Sequence, residues 1–114
     1  QVEADQEAFD QVREGMVRCS RDTTRGSARY YFGDYPIDVA AKTGTPQASG
    51  GDLDATFIAY APAYDPEIAV AVVVENGYSG QRGAPIAKAI FNEYFGLNEE
   101  TETQQQNTDG QLIP

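Results

Sequence analysis

Three observations predict an α+β fold built on an antiparallel sheet. Apolar residues recur at helical spacing near both ends of the ordered sequence. Between them lie a stretch with a two-residue period and a stretch that is almost wholly apolar and rich in Val. The link between the second and third strands is too short for a crossover, so those strands must run antiparallel.

The first helix is expected over about 5–20, where Phe9, Val12, Met16 and Cys19 recur at steps of three and four. Asp5 suits its N-cap, and Glu7 and Asp10 suit the positive end of the helix dipole. Residues 21–36, punctuated by Gly26, Gly33 and Pro36, read as loop with short extended pieces. A strand follows at about 37–46: Ile37, Val39 and Ala41 alternate with Asp38, Ala40 and Lys42, and Pro46 ends ladder pairing because it has no N–H. After a Gly- and Ser-containing loop, a second strand is expected over 54–62. Residues 63–66 form a hairpin-length link, and a third strand is expected over 67–76. The apolar run Ile68–Val74 predicts a central strand covered on both faces. Residues 77–83 read as loop. The last helix is expected over about 83–96, with Ala87, Ile90, Phe91 and Tyr94 on one stripe and Gly96 as its stop. Both helices are expected to pack on the sheet. Residues 1–97 then form the ordered part and 98–114, acidic and Gln-rich, a disordered tail. A three-stranded sheet keeps an open edge, so it is expected to continue into strands outside this chain.

Composition removes several functions. A net charge of −10 argues against nucleic acid, where phosphates require clustered cations. Arg13, Arg18, Arg21, Arg25 and Arg29 do lie close in sequence; they read as a solvated helix face and the loop after it rather than a polyanion site. With no histidine, Ser-His-Asp and Cys-His catalysis within this chain are excluded, and a zinc site is not expected. Cys19, the single cysteine, can form no internal disulfide and reads as a small buried or half-buried hydrophobe. No apolar run has the length of a membrane span. The start at Gln1, without Met, suggests a chain cut from something longer.

The segment carrying chemistry is Val39-Ala40-Ala41-Lys42-Thr43-Gly44-Thr45. On an extended strand Thr43 and Thr45 share a side, so two hydroxyls can meet one ligand carboxylate. Gly44 removes a side chain where a substrate backbone must approach. Lys42 alone reads as a strand-end lysine reaching to solvent. It is no phosphate loop, since the Gly-x-x-x-x-Gly that should precede Lys42 is absent: Pro36 and Ala41 stand at the two glycine positions. Asp52 and Asp54, beside Gly50-Gly51, are better explained by turn chemistry than as a catalytic pair, and Asn76-Gly77 is a turn signal.

A Lys-Thr-Gly strand with these surroundings resembles the third motif of the serine acyl-transferases that bind penicillin. Gly15-Met16-Val17, Gly26-Ser27-Ala28 and Phe32 resemble the family's approach to that strand. Phe57-Ile58-Ala59-Tyr60-Ala61-Pro62, Glu75-Asn76-Gly77 and Ala84-Pro85-Ile86-Ala87 look like the closing segment of class B penicillin-binding proteins. The likeness runs from Val12 to Phe95. Ser27, where relatives commonly carry Thr, and Ala41, where many carry Gly, are departures.

The resemblance implies a partial β-lactamase/transpeptidase-like fold and a peptidoglycan D,D-transpeptidase that uses an acyl-serine. Its partners would be stem peptides, β-lactam antibiotics and the rest of its own transpeptidase domain, with no metal or organic cofactor, no nucleic acid and no membrane contact from this segment. It implies that Thr45 gives its backbone N–H to the oxyanion, that Thr43, Gly44 and Thr45 bind substrate, and that Lys42 supplies positive potential and a hydrogen bond to the second-motif serine. The Ser-x-x-Lys nucleophile motif is not in this sequence: Ser20, Ser27, Ser49 and Ser79 are followed three residues later by Thr23, Tyr30, Asp52 and Arg82. No Ser-x-Asn occurs either. The chain alone is therefore expected to catalyse nothing, and the resemblance places the whole protein outside the cytoplasmic membrane on an N-terminal anchor. A serine β-lactamase and a non-catalytic β-lactam sensor or binding module are the alternatives.

Overall fold

The computed structural model describes residues 1–47 and 50–97. The tail expected at 98–114 lies outside them. Helix α1 spans Gln6–Arg21, a one-turn helix α2 spans Arg29–Phe32, and three strands follow: β1 Ala40–Gly44, β2 Ala55–Ala61 and β3 Ile68–Val74. A 3-10 turn at Gly80–Gly83 leads straight into helix α3, Ala84–Phe95. The sheet has the order β1-β2-β3 and is antiparallel throughout, with Lys42 opposite Ile58 and Ile58 opposite Ala71. The α+β architecture is as the sequence predicts.

Each helix end has a local cause. The Asp5 carbonyl accepts the first N–H groups, from Ala8 and Phe9. At the other end the Asp22 carboxylate accepts the Thr24 and Arg25 backbone N–H groups at 2.8 and 2.9 Å, turning the chain out of α1. Those two hydrogen bonds, Arg25's first, lower the pKa of Asp22 below its ordinary value. Gly96 ends α3 in the left-handed region at φ 73°, as a C-terminal glycine does.

The core is aromatic. Phe32, Phe57 and Phe91, from α2, β2 and α3, are all fully buried. The Phe32 ring stacks on Phe57 at 6.2 Å and meets Phe91 edge-on at 6.0 Å. Burial of one such side chain contributes roughly 1.5–3 kcal/mol. Tyr35 adds an edge contact to Phe32 and donates its hydroxyl to Asn92 Oδ1 at 2.6 Å. Its burial raises the phenol pKa.

Several expectations need correction. The loop expected at 21–36 contains α2, which is there because Phe32 fills the space between sheet and α3. The paired part of the first strand is shorter than 37–46; before it, the Asp38 carbonyl accepts the Ala63 N–H. Among the described residues β3 is the last strand of the sheet, and its alternate residues Ala69, Ala71 and Val73 are exposed. Its open face is lined with Ala and Val, which hides the alternation from a sequence reading. In α1, Phe9 and Val12 stay exposed while Met16 and Cys19 turn inward, because only the C-terminal part of the stripe meets other elements. In α3 the buried stripe is Ala84, Ala87 and Phe91, leaving Ile90 and Tyr94 outside.

The arginine run is also less solvated than its sequence suggests. Arg21 bonds Asp38 Oδ1 at 2.9 Å and the carbonyls of Phe32 and Gly33, tying the end of α1 to α2 and to the approach to β1. Among the described residues, no helix is long and apolar enough to cross a membrane.

Candidate active site

The Lys42-Thr43-Gly44-Thr45 segment closes β1, whose second edge is unpaired by any described strand. Lys42 is exposed on the open face of the sheet, in one cross-strand row with Ile58 and Ala71. Its ammonium folds back to donate to the Thr43 carbonyl at 2.8 Å. Gly44 has an internal reason for lacking a side chain, since Thr56 Oγ1 occupies the place of its Cβ.

The two threonine hydroxyls have different partners. Thr43 Oγ1 lies 2.9 Å from Ser27 Oγ, and Ser27 Oγ lies 3.2 Å from the Cys19 thiol sulfur. Thr45, one residue past the paired ladder, accepts the Gly80 backbone N–H at 3.1 Å. A threonine hydroxyl that accepts in this way keeps its own proton for a ligand. Among the described serines, Ser20 is fully buried and its hydroxyl has no partner among the described residues.

Two features escaped the sequence reading. Ser27 was noted only as a departure from Thr, yet its hydroxyl touches the motif. The 77–83 segment is a fitted wall rather than a loop: a Cβ on Gly77 would meet Ala55, one on Gly80 would run into the Gly44 backbone, and one on Gly83 would meet Phe57. The repeat of Gly every third residue was the available signal, matching the period of a 3-10 turn. Asp54 turns out to serve the neighbouring turn, accepting the N–H of Asn76, which sits at φ 54°.

Beside the motif lies an open recess of about 270 Å³ between the end of α1, the following loop and β1. Arg18, Arg25 and Lys42 line it together with Ser27, Cys19 and Asp22, so cations outnumber carboxylates in a chain of net charge −10. Such a recess favours an anion.

A hydroxyl-bearing Lys-Thr-Gly-Thr strand end, walled by a glycine turn and backed by a helix against the sheet, defines a class. The chain belongs to the penicillin-binding protein transpeptidase domain family, whose model matches residues 1–96. Its structural neighbours include several class B proteins of the PBP2 kind. It is 39% identical over 101 residues to the peptidoglycan D,D-transpeptidase MrdA of Acinetobacter baumannii, covering 75% of this chain and 14% of that protein. It superposes on Pseudomonas aeruginosa PBP2 with a TM-score of 0.72 at 37% identity, covering 82% of this chain and 21% of that one. For penicillin-binding protein A of Mycobacterium tuberculosis, solved as an imipenem acyl-enzyme complex, the TM-score is 0.62 and the identity 30%, covering 78% and 19%. The chain spans 13–16% of the length of the curated relatives it matches.

Proposed function

We propose that this chain carries the third-motif side of a peptidoglycan D,D-transpeptidase site, which cross-links stem peptides through an acyl-serine and is acylated there by β-lactams. The nucleophilic serine, its lysine base and the second motif come from other parts of the same polypeptide. The observation that supports this most is the placement of the motif: an exposed Lys42 and two held threonine hydroxyls stand at a strand edge that no described strand pairs, beside a cationic recess.

In this reading the Thr43 and Thr45 hydroxyls receive the terminal carboxylate of the stem peptide. The Thr45 N–H stabilises the oxyanion, a contribution of about a hundred- to a thousandfold in rate for one such donor. Lys42 adds positive potential and a hydrogen bond to the second-motif serine. An amine of a second stem peptide then attacks the acyl-enzyme, and the serine leaves with a proton. The whole protein is extracytoplasmic and held by an N-terminal membrane anchor.

The test is covalent labelling with fluorescent penicillin. The full-length gene product labels one to one and holds the label, while the 114-residue chain alone stays unlabelled. Stoichiometric labelling of the isolated chain would overturn the assignment of the nucleophile to another segment. Rapid release of hydrolysed penicillin would make the protein a β-lactamase. Stable labelling without cross-linking activity would make it a sensor.

A further inference from the structure

The row Cys19 Sγ, Ser27 Oγ, Thr43 Oγ1 runs inward from α1 to the motif, with separations of 3.2 and 2.9 Å. Its three members sit on elements with little freedom. The loop holding Ser27 is clamped to the end of α1 by Gly26 N–H to the Asp22 carbonyl at 2.9 Å and Ala28 N–H to the Cys19 carbonyl at 3.0 Å. Gly26 is so close to the carbonyls of Arg18, Cys19 and Asp22 that a Cβ there would lie 2.7–2.8 Å from them. Thr43 is fixed by its pairing with Phe57 across the ladder.

Each group in the row carries one proton, so the row has two head-to-tail proton orders. In one, the thiol donates to Ser27, Ser27 donates to Thr43, and the Thr43 proton points away from the row. In the other, Thr43 donates to Ser27, Ser27 donates to sulfur, and Thr43 presents only lone pairs. An anion at Thr43 is attracted by the first and repelled by the second. Sulfur is also the weaker acceptor, which disfavours the second order further.

We propose that Ser27 is a positioning residue for the carboxylate of the ligand: backed by the Cys19 thiol, it donates to Thr43 Oγ1 and so turns the Thr43 proton toward that carboxylate. The inference rests on the transpeptidase reading and adds a residue and a proton order to it. A purely structural Ser27–Thr43 latch, joining the α1–α2 loop to β1, would not care what charge the ligand bears.

The experiment compares acylation of the full-length protein by benzylpenicillin and by its methyl ester. Ser27→Ala slows acylation by the acid about three- to tenfold, the range of one neutral hydrogen bond, and leaves the ester within about twofold. Ser27→Thr keeps the hydroxyl and restores the acid rate. Cys19→Ala, which keeps Ser27, lowers the acid-to-ester ratio by about twofold and serves as the second variant should Ser27→Ala fail to fold. An unchanged ratio in the variants, or equal slowing of both ligands, overturns the proposal while leaving the transpeptidase reading intact. A wild-type protein that neither ligand acylates overturns both.

Discussion

Gly80 holds Thr45 by its backbone: the glycine N–H donates to Thr45 Oγ1 at 3.1 Å while its α-carbon rests on the main chain of Gly44. The last turn before α3 and the end of β1 thus form one unit, and the glycine is required by lack of space rather than by an unusual φ. Gly80→Ala must push the turn away from β1. The expected cost is about 1–3 kcal/mol of stability, as for other overpacked sites, together with slower penicillin acylation of the full-length protein. Thermal melts and second-order acylation rates check both; a variant as stable and as fast as wild type would show that the turn gives way freely.

Phe57 joins the sheet to α2 and to the 3-10 turn before α3, stacking on Phe32 and lying under Gly83. Phe57→Ala is expected to cost about 3–5 kcal/mol, whereas Phe57→Leu, nearer in volume, should lose distinctly less. Urea denaturation measures the difference, and equal losses would mean that the ring contacts, which both variants lose, carry most of the effect.

Ser20 offers the opposite case. Its hydroxyl is buried without a partner among the described residues. Ser20→Ala removes an unsatisfied polar group and is expected to leave stability unchanged or raise it by up to about 1 kcal/mol. A clear loss of stability would mean that the hydroxyl has a partner in the whole protein.

Asp22 makes stability depend on pH at the acid end. Its carboxylate is held below its ordinary pKa, because the backbone N–H groups of Arg25 and Thr24 bind the charged form. Its contribution is therefore complete above the unfolded value and is lost as pH falls through the lower folded value. The stability gap between wild type and Asp22→Ala should be constant from about pH 7 to 5 and narrow below about pH 4. A gap that widens on acidification would contradict this.

The sequence disclosed what depends on period and punctuation. The outer helices, the three strands and the helix stop at Gly96 all follow from spacing that any segment shows locally. Helix α2 was not legible, because four residues are fewer than the repeat needs and Arg29-Tyr30-Tyr31-Phe32 has no apolar period. The open face of β3 was not legible because Ala69, Ala71 and Val73 are apolar although the described residues leave them uncovered. In the site, Lys42 through Thr45 stood out as a motif, but Ser27 meets Thr43 across sixteen positions of sequence. Contacts of that kind are set by how α1 and β1 pack, which spacing along one element does not encode.

The outward side of β3 also bears on how this chain behaves among its own copies. Ile68-Ala69-Val70-Ala71-Val72-Val73-Val74 is seven residues without charge or proline, and no described strand pairs with its outer edge. Such a segment is a template for intermolecular β-sheet, and Val73 is 67% exposed. The flanking Pro66, Glu67 and Glu75 act as gatekeepers, repelling a second strand at either end but not along its middle. Produced by itself, the chain is expected to form thioflavin-positive aggregates as concentration rises, and Val73→Lys to suppress them. The strand that flanks β2 on the side away from the motif is then also the one that makes solitary copies insoluble.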